Sequence, residues 1–326
     1  MLVRHHEPGK PLVSLRGQER EVAIELSKAG DALFYRSRRG GTLGLLLCED
    51  RAEVEIVEIR TTGDRRSAEG KPIGWKGDFT KELDEQLLAR EIDAAVHSLK
   101  DVPAELPEGL VLASVPTRED PRDVLVSHPR RTFADLPEGS RVGTSSPRRA
   151  AQILAARPEL VIEPARGNVD TRLRRLREGK WDALVLARAG LARLSRLDEI
   201  VEVFAESVML PAAGQGALGI VTRADDVDTR ALLAHIDDLA SHEEVLAERS
   251  LLAGLQAGCR APVAARAKVT DRALTLEAAV LSADGVRVLR ETGSGDAADA
   301  VGLGRAVAER LLALGAAEII GMAESR

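Results

Sequence analysis

The chain has 326 residues, enough for two or three domains, with 44% hydrophobic and 30% charged residues, an ordinary balance for a globular protein. Aromatic residues make up only 2% and the formal net charge is -6, which argues against a stacking platform for single-stranded nucleic acid and against a general grip on a phosphate backbone. Cys48 and Cys259 are the only cysteines and lie far apart, so neither a disulfide framework nor a C-x-x-C metal pair is expected. Met1–Lys10 lacks the apolar core of a signal peptide, and no apolar run nears the ~18 residues of a membrane span. A cytoplasmic, reduced protein without nucleic-acid or membrane partners is expected.

In chain order, Glu21–Ala29 reads as a short helix closed by Gly30. Ala32–Tyr35 reads as a strand, followed by the basic turn Arg36–Gly41; Leu43–Cys48 is an apolar run of open type, and Val54–Ile59 alternates as a strand. Residues 65–77 are polar and glycine-containing, as in a lid or an unstructured loop. Phe79–Glu91 has Phe79, Leu83, Leu87 and Leu88 at helical spacing. Asp93-Ala-Ala-Val96 then begins a short apolar strand that turns polar at His97, Ser98, Lys100 and Asp101 and is stopped by Pro103. Leu110–Ala113 is a further strand, and Glu119-Asp-Pro-Arg-Asp123 reads as a crossover into a second unit.

Strand–helix alternation resumes with Val124–Val126. Ser146 is a good N-cap and Pro147 an ideal first residue for a helix that runs to about Arg157. Leu160–Ile162 is a strand, the next helix carries Leu173 and Leu176 and closes at Gly179, Ala183–Leu186 is a strand, and Ala189–Leu194 starts another helix. Met209–Ala217 has no regular character, and Leu218–Val221 is a strand. Ser241-His-Glu-Glu244 reads as a capping box for a helix that reaches Ala257 and Gly258-Cys259-Arg260. Strands at 262–269, 273–280 and 286–290, then a helix near 298–314, indicate an α+β unit with an antiparallel sheet.

Open α/β sheets bind ligands at the carboxyl ends of their strands. Lys100 and Asp101 fall at such an end, and so do Thr144, Ser145 and Ser146 with Arg148 and Arg149. A helix N-terminus with hydroxyls and guanidiniums can cradle a carboxylate or phosphate. Arg166 and Arg172 flank the neighbouring turn, and Arg193 follows the next; together they imply a polyanion pocket. Arg174, Arg175 and Arg177 fit a solvated helix face. Cys259, beside Arg260, is a candidate for covalent attachment, whereas Cys48 fits a small buried hydrophobe.

His97-Ser-Leu-Lys-Asp-Val-Pro103, Glu119–Asp123, Val142-Gly-Thr-Ser-Ser-Pro-Arg-Arg149, Arg166-Gly-Asn-Val-Asp-Thr-Arg-Leu173, Leu210-Pro-Ala-Ala-Gly-Gln-Gly-Ala217 and Ala257-Gly-Cys-Arg-Ala-Pro262, in that order, resemble the porphobilinogen deaminase, or hydroxymethylbilane synthase, family. The resemblance covers residues from about 50 to 320. It implies an α/β fold of two periplasmic-binding-protein-like doubly wound domains, residues 1–118 with 217–236 and 119–216, plus a small C-terminal α+β domain, 237–326. It implies a transferase that joins four porphobilinogen units head to tail on a covalent dipyrromethane cofactor, loses ammonia at each addition and releases a linear tetrapyrrole by hydrolysis.

By motif, Asp101 with Lys100 matches the catalytic position. Cys259, Lys100, Ser145, Arg148, Arg149, Arg166 and Gln215 match cofactor-binding positions. Arg38, Lys76, Ser146, Arg148, Arg149, Arg166, Arg172 and Arg193 match substrate-binding ones. No metal is implied, and a monomer acting on a small molecule is expected. The sequence departs from the family pattern at Gly40, where serine is usual, and at Trp75, Asp78 and Pro72 around the expected loop lysine. The competing reading is a non-catalytic binding module for an organic polyanion, which needs the arginines but neither Asp101 nor Cys259.

Overall fold

The computed structural model describes residues 2–3, 27–29, 32–36, 42–43, 54–55, 59, 61–62, 80–258 and 261–324. The expected roles of Arg38, Lys76 and Cys259, the polar loop 65–77 and the family departures at Gly40, Pro72, Trp75 and Asp78 lie outside these residues. The chain divides into two compact units, residues 1–118 with 217–242 and residues 119–216 with 243–326.

In the first unit, β1 (Leu2–Val3), β2 (Ser27–Ala29), β3 (Ala32–Arg36), β4 (Thr42–Leu43) and β5 (Val54–Glu55) are short strands. β1 pairs with β5, and β3 pairs with both β2 and β4, all antiparallel. The helix expected to end at Ala29 is thereby corrected at Ser27–Ala29. Ser27–Ala29 is a strand whose Ala29 pairs with Ala32.

The helix Lys81–Leu88 is shorter than its apolar spacing predicts, since Arg90 takes a left-handed φ of 59° just beyond it. Leu87 is fully buried while Leu88, expected on the same face, is 48% exposed. The strands β6 (Ala95–Ser98) and β7 (Leu110–Ser114) each pair antiparallel with a central strand, Leu218–Arg223, which returns to this unit after the second one. Alternation sends Ala95, Leu110 and Val221 to one face, with Leu87 and Ile92, and Ala94 and Ile220 to the other, with Leu233.

The second unit begins at β8 (Asp123–Ser127), followed by β9 (Arg141–Gly143), β10 (Val161–Glu163), β11 (Ala183–Ala187) and β12 (Glu202–Val203). They form one sheet in the order β10-β9-β11-β8-β12. β9, β10 and β11 are parallel, and β8 runs against β11 and β12. The sheet is buried on both faces, as near-continuous apolar strands require. Leu125, Val142, Ala183 and Val185 pack with Ile153 of the helix Pro147–Ala156. Val124, Val126, Leu184 and Leu186 pack with Leu173 and Leu176 of Val169–Arg177 and Leu191 of Arg188–Arg193. This is the doubly wound α/β arrangement expected.

The same unit contains an antiparallel meander, β14 (Val263–Thr270), β15 (Ala273–Leu281) and β16 (Val288–Asp296), after β13, the central strand Leu218–Arg223. The expected C-terminal α+β architecture is therefore present, with a further helix, Ala316–Glu324, beyond the one expected. Ala265, Ala267, Leu274, Leu276 and Ala278 face the helices Leu239–Gly254 and Ala300–Ala313. Ala264, Ala279 and Leu281 pack against Ala151 and Leu210, which joins the meander to the five-stranded sheet's first helix. The capping box is corrected: the Asp238 carboxylate accepts from Ser241 N at 2.8 Å and caps a helix that starts earlier. Ser241 Oγ accepts instead from Arg118 N, and Glu244 accepts from Val269 N and Arg266.

Candidate active site

In the first unit, β6 leads directly into a single 3-10 turn, Leu99–Asp101. Leu99 and Val102 are buried on either side of exposed Lys100 and Asp101. Leu99 N donates to Ala217 O at 3.1 Å, and Val102 N donates to Leu99 O at 3.2 Å. The side chain of Leu99 lies over Gly219, where a Cβ would come within 2.3 Å of Leu99 Cδ2. Two apolar anchors and a missing side chain thus fix the backbone of a turn that presents an adjacent cation and carboxylate at a strand end. The strand-end placement of Lys100 and Asp101 agrees with the sequence reading.

In the second unit, the carboxyl ends of β9, β10 and β11 share one edge of the sheet. Antiparallel β8 starts at that edge, with Asp123 opposite Ala187. Asp123 has no exposed surface. Its Oδ2 accepts from Arg148 Nη1 at 2.6 Å, and its Oδ1 accepts from Arg149 Nε at 3.0 Å, Arg149 Nη2 at 2.8 Å and Gln215 Nε2 at 2.9 Å. Burial alone would raise its pKa, but the charges of Arg148 and Arg149 and the bonds from Arg148 and Gln215 hold the carboxyl at about 2. Arg148 Nη1 also donates to Leu210 O at 2.6 Å, and Arg149 Nη1 to Val185 O at 3.1 Å.

Ser146 caps the helix Pro147–Ala156 by accepting from Arg149 N, Thr144 Oγ1 accepts from Ser146 N, and Ser145 Oγ donates to Ala165 O. Asn168 likewise caps Val169–Arg177 through Thr171 N. The hydroxyls build the two turns, and the cations of this edge are the guanidiniums.

Arg172 Nε donates to Gly167 O at 2.7 Å, and no carboxylate among the described residues pairs with it. Burial, then the like charge of Arg149, pushes its pKa down to about 10. Arg193 Nη2 donates to Gly216 O at 2.7 Å, and burial lowers its pKa as well. Arg166 is exposed on the β10 turn. Arg174, Arg175 and Arg177 are exposed on their helix, as expected of a solvated face.

The Met209–Ala217 loop ties this edge together. Leu210 O and Gly216 O accept from Arg148 and Arg193, and Gln215 bridges Pro121 O and Asp123. Gly216 has φ +87° and a Cβ there would lie 2.3 Å from Glu119 O, so only glycine brings this loop so close. From the other side, buried Glu248 accepts from Gly214 N at 2.6 Å and Ala267 N at 2.8 Å.

Sequence reasoning missed Asp123, reading it as part of a charged crossover. The available signal was an acid at the first position of the fully apolar run Val124-Leu-Val126: a carboxylate buried there must be paired, and Arg148-Arg149 is the nearest run of cations at the same sheet edge.

Two family descriptions match the chain: "Porphobilinogen deaminase, dipyromethane cofactor binding domain" over residues 41–231, and "Porphobilinogen deaminase, C-terminal domain" over residues 242–313. A porphobilinogen deaminase of Brevibacillus brevis is 49% identical over 271 residues, covering 82% of this chain and 87% of the relative. One of Desulforudis audaxviator is 51% identical over 265 residues, covering 81% and 85%. One of Deinococcus radiodurans is 45% identical over 296 residues, covering 86% and 96%. Among solved structures, a periplasmic sulfonate-binding protein of Methylobacillus flagellatus shares 13% identity over 50% of this chain and 52% of its own, at a TM-score of 0.31, too slight a likeness to argue from. Profile matches on both sides of residue 240 and relatives near one-half identity along most of the chain leave one assignment: the chain belongs to the porphobilinogen deaminase family.

Proposed function

We propose that this chain is a hydroxymethylbilane synthase, a transferase that joins four porphobilinogen units head to tail on a covalently held dipyrromethane and releases the linear product by hydrolysis. Each addition forms one carbon–carbon bond and expels one ammonia, and water ends the chain. The observation that carries this reading is the imbalance of charge at the second unit's sheet edge. Arg148 and Arg149 share the single buried carboxylate of Asp123, while Arg172 and Arg193 are held with their pKa values lowered by burial. Buried cations in excess of carboxylates are costly until an anion arrives, and pyrroles bearing acetate and propionate groups supply several.

The same donor set fits the dipyrromethane, whose side chains are carboxylates. Arg148, Arg149, Arg166, Ser145, Gln215 and Lys100 would hold it, with Cys259 as the covalent anchor. When bound, it supplies the nucleophilic pyrrole carbon from which the chain grows. Arg172, Arg193 and Ser146, with Arg38 and Lys76, bind the carboxylates of incoming substrate. Asp101, fixed on its turn by Leu99 and Val102, stabilises the positive charge left on the substrate as ammonia departs and orients the pyrrole N–H. Lys100 beside it pairs with a carboxylate.

The proposal includes a cytoplasmic monomer in which residues 1–118 with 217–236, 119–216 and 237–326 are separate domains. The chain crossings near residues 118 and 216 support the first boundary, and the hydrophobic core that the meander shares with its own helices supports the last, although the meander also packs on Ala151 and Leu210 within one compact unit. Purified chain incubated with porphobilinogen tests the activity: substrate consumption, release of ammonia and a linear tetrapyrrole are expected, with added mass on the protein. A chain at bare sequence mass that binds porphobilinogen without consuming it would move the assignment to a binding module, and sizing chromatography tests the monomer.

A further inference from the structure

We infer that Asp123 is a positioning residue of the anion site: it locks Arg148 and Arg149 into a fixed frame and leaves Arg172 and Arg193 as the cations open to incoming carboxylates. The identity of those carboxylates rests on the function proposed above; the locking does not.

The two arginine pairs differ in their surroundings. Arg148 and Arg149 are 4% and 7% exposed, and both reach the same carboxylate. They also donate to the carbonyls of Leu210 and Val185 and to Gln215. These partners come from the loop Met209–Ala217, from β11 and from β8, so the two guanidiniums are held from three directions. Arg172 and Arg193 are half-buried and donate to the carbonyls of Gly167 and Gly216, and the charge of Glu119 acts on Arg193 without a hydrogen bond between them. A long cationic side chain held by one neutral carbonyl keeps most of its donors for another acceptor.

Asp123 thus does two things a neutral residue cannot. It offsets one of two adjacent buried charges, and it accepts from both arginines at once, which fixes their spacing. Gln215 extends the frame, because its amide donates to Asp123 and to Pro121 O.

The test uses the arginine reagent phenylglyoxal with peptide mapping, on the full chain in a Cys259→Ser background, with intact mass establishing that no covalent group shields the site. Arg223, buried in the first unit against Asp93 and Asp226, is the internal reference. In Asp123→Asn, modification of Arg148 and Arg149 is expected to rise by about tenfold or more, the factor for losing a charge-assisted hydrogen bond, with Arg172 and Arg223 unchanged. Asp123→Glu, which restores the charge, is expected to return part of the protection. With Cys259 intact, Asp123→Asn is expected to raise the porphobilinogen KM by about tenfold while kcat falls less.

Unchanged modification of Arg148 and Arg149 overturns the locking, and an unchanged KM in a chain that consumes porphobilinogen overturns the assignment of its carboxylates to this site. Should Arg223 become reactive as well, the charge-balanced Asp123→Asn/Arg148→Met chain replaces the single variant and Arg149 becomes the reporter. Arg149 reactive with Arg223 protected supports the locking role, and any other pattern overturns it. Because the labelling needs no turnover, it stands or falls apart from the enzymatic reading, which the parent chain's porphobilinogen consumption tests by itself.

Discussion

Gly219→Ala tests whether the Lys100–Asp101 turn is held by packing beneath it. A Cβ at Gly219 would lie 2.3 Å from Leu99 Cδ2, 2.6 Å from Leu99 Cγ and 2.8 Å from Leu112 Cδ1. Ordinary carbon contacts are about 3.5–4.0 Å, so Leu99 must move by roughly 1 Å. Leu99 is 2% exposed and begins the turn, with its N–H tied to Ala217 O, so the displacement passes to Asp101, two residues on. Over-packing of this kind costs ~1–3 kcal/mol, which for a chain of this class lowers the melting temperature by roughly 2–12 °C.

A shift of about 1 Å at a catalytic group lowers turnover by roughly 10²-fold, so activity should fall by more than stability explains. The assays are thermal melting and porphobilinogen consumption measured well below the melting temperature. Adding Leu99→Ala removes the clashing atoms, and the double variant should be less destabilised than the two single effects combined by about 0.5–3 kcal/mol. A Gly219→Ala chain that melts and turns over like its parent would refute the packing argument, and so would strict additivity of the two changes.

Asp101→Asn is expected to fold normally and lose nearly all turnover, because the amide is near-isosteric and cannot stabilise a cation; parent-like consumption of porphobilinogen would remove Asp101 from its role. Cys259→Ser should give protein at the bare sequence mass without activity, and Cys48→Ser should keep both the added mass and turnover; a peptide map placing the group on Cys48 would reverse the assignment. The Asp123 carboxyl is held at about 2, below the ordinary 3.8. Its stabilising contribution is therefore complete above about pH 4 and is lost as the pH falls through 2. Melting curves should drop over that interval in the parent, and a parent curve that stays level there would contradict the buried ion pairs.

Much of this protein is determined by the sequence alone, through signals that are local. The short continuous apolar runs Val124-Leu-Val126 and Ala183-Leu-Val-Leu186 assign strands, and Ser146-Pro147 starts a helix where the structure has one, because run length and capping depend on residues a few positions apart. The motifs around Lys100–Asp101, Arg148–Arg149 and Arg166–Arg172 likewise identify the family and the anionic character of the ligand. Tertiary structure alone decided how those charges are partnered. Asp123 meets Arg148 across 25 residues of sequence and Gln215 across 92, a pairing created by the antiparallel return of β8 beside β11. Asp238 displaced Ser241 as the cap, and Arg90 in a left-handed conformation ended a helix whose apolar spacing continued. Capping and chain reversal each have several local solutions of similar energy, and only the packing of distant segments selects one.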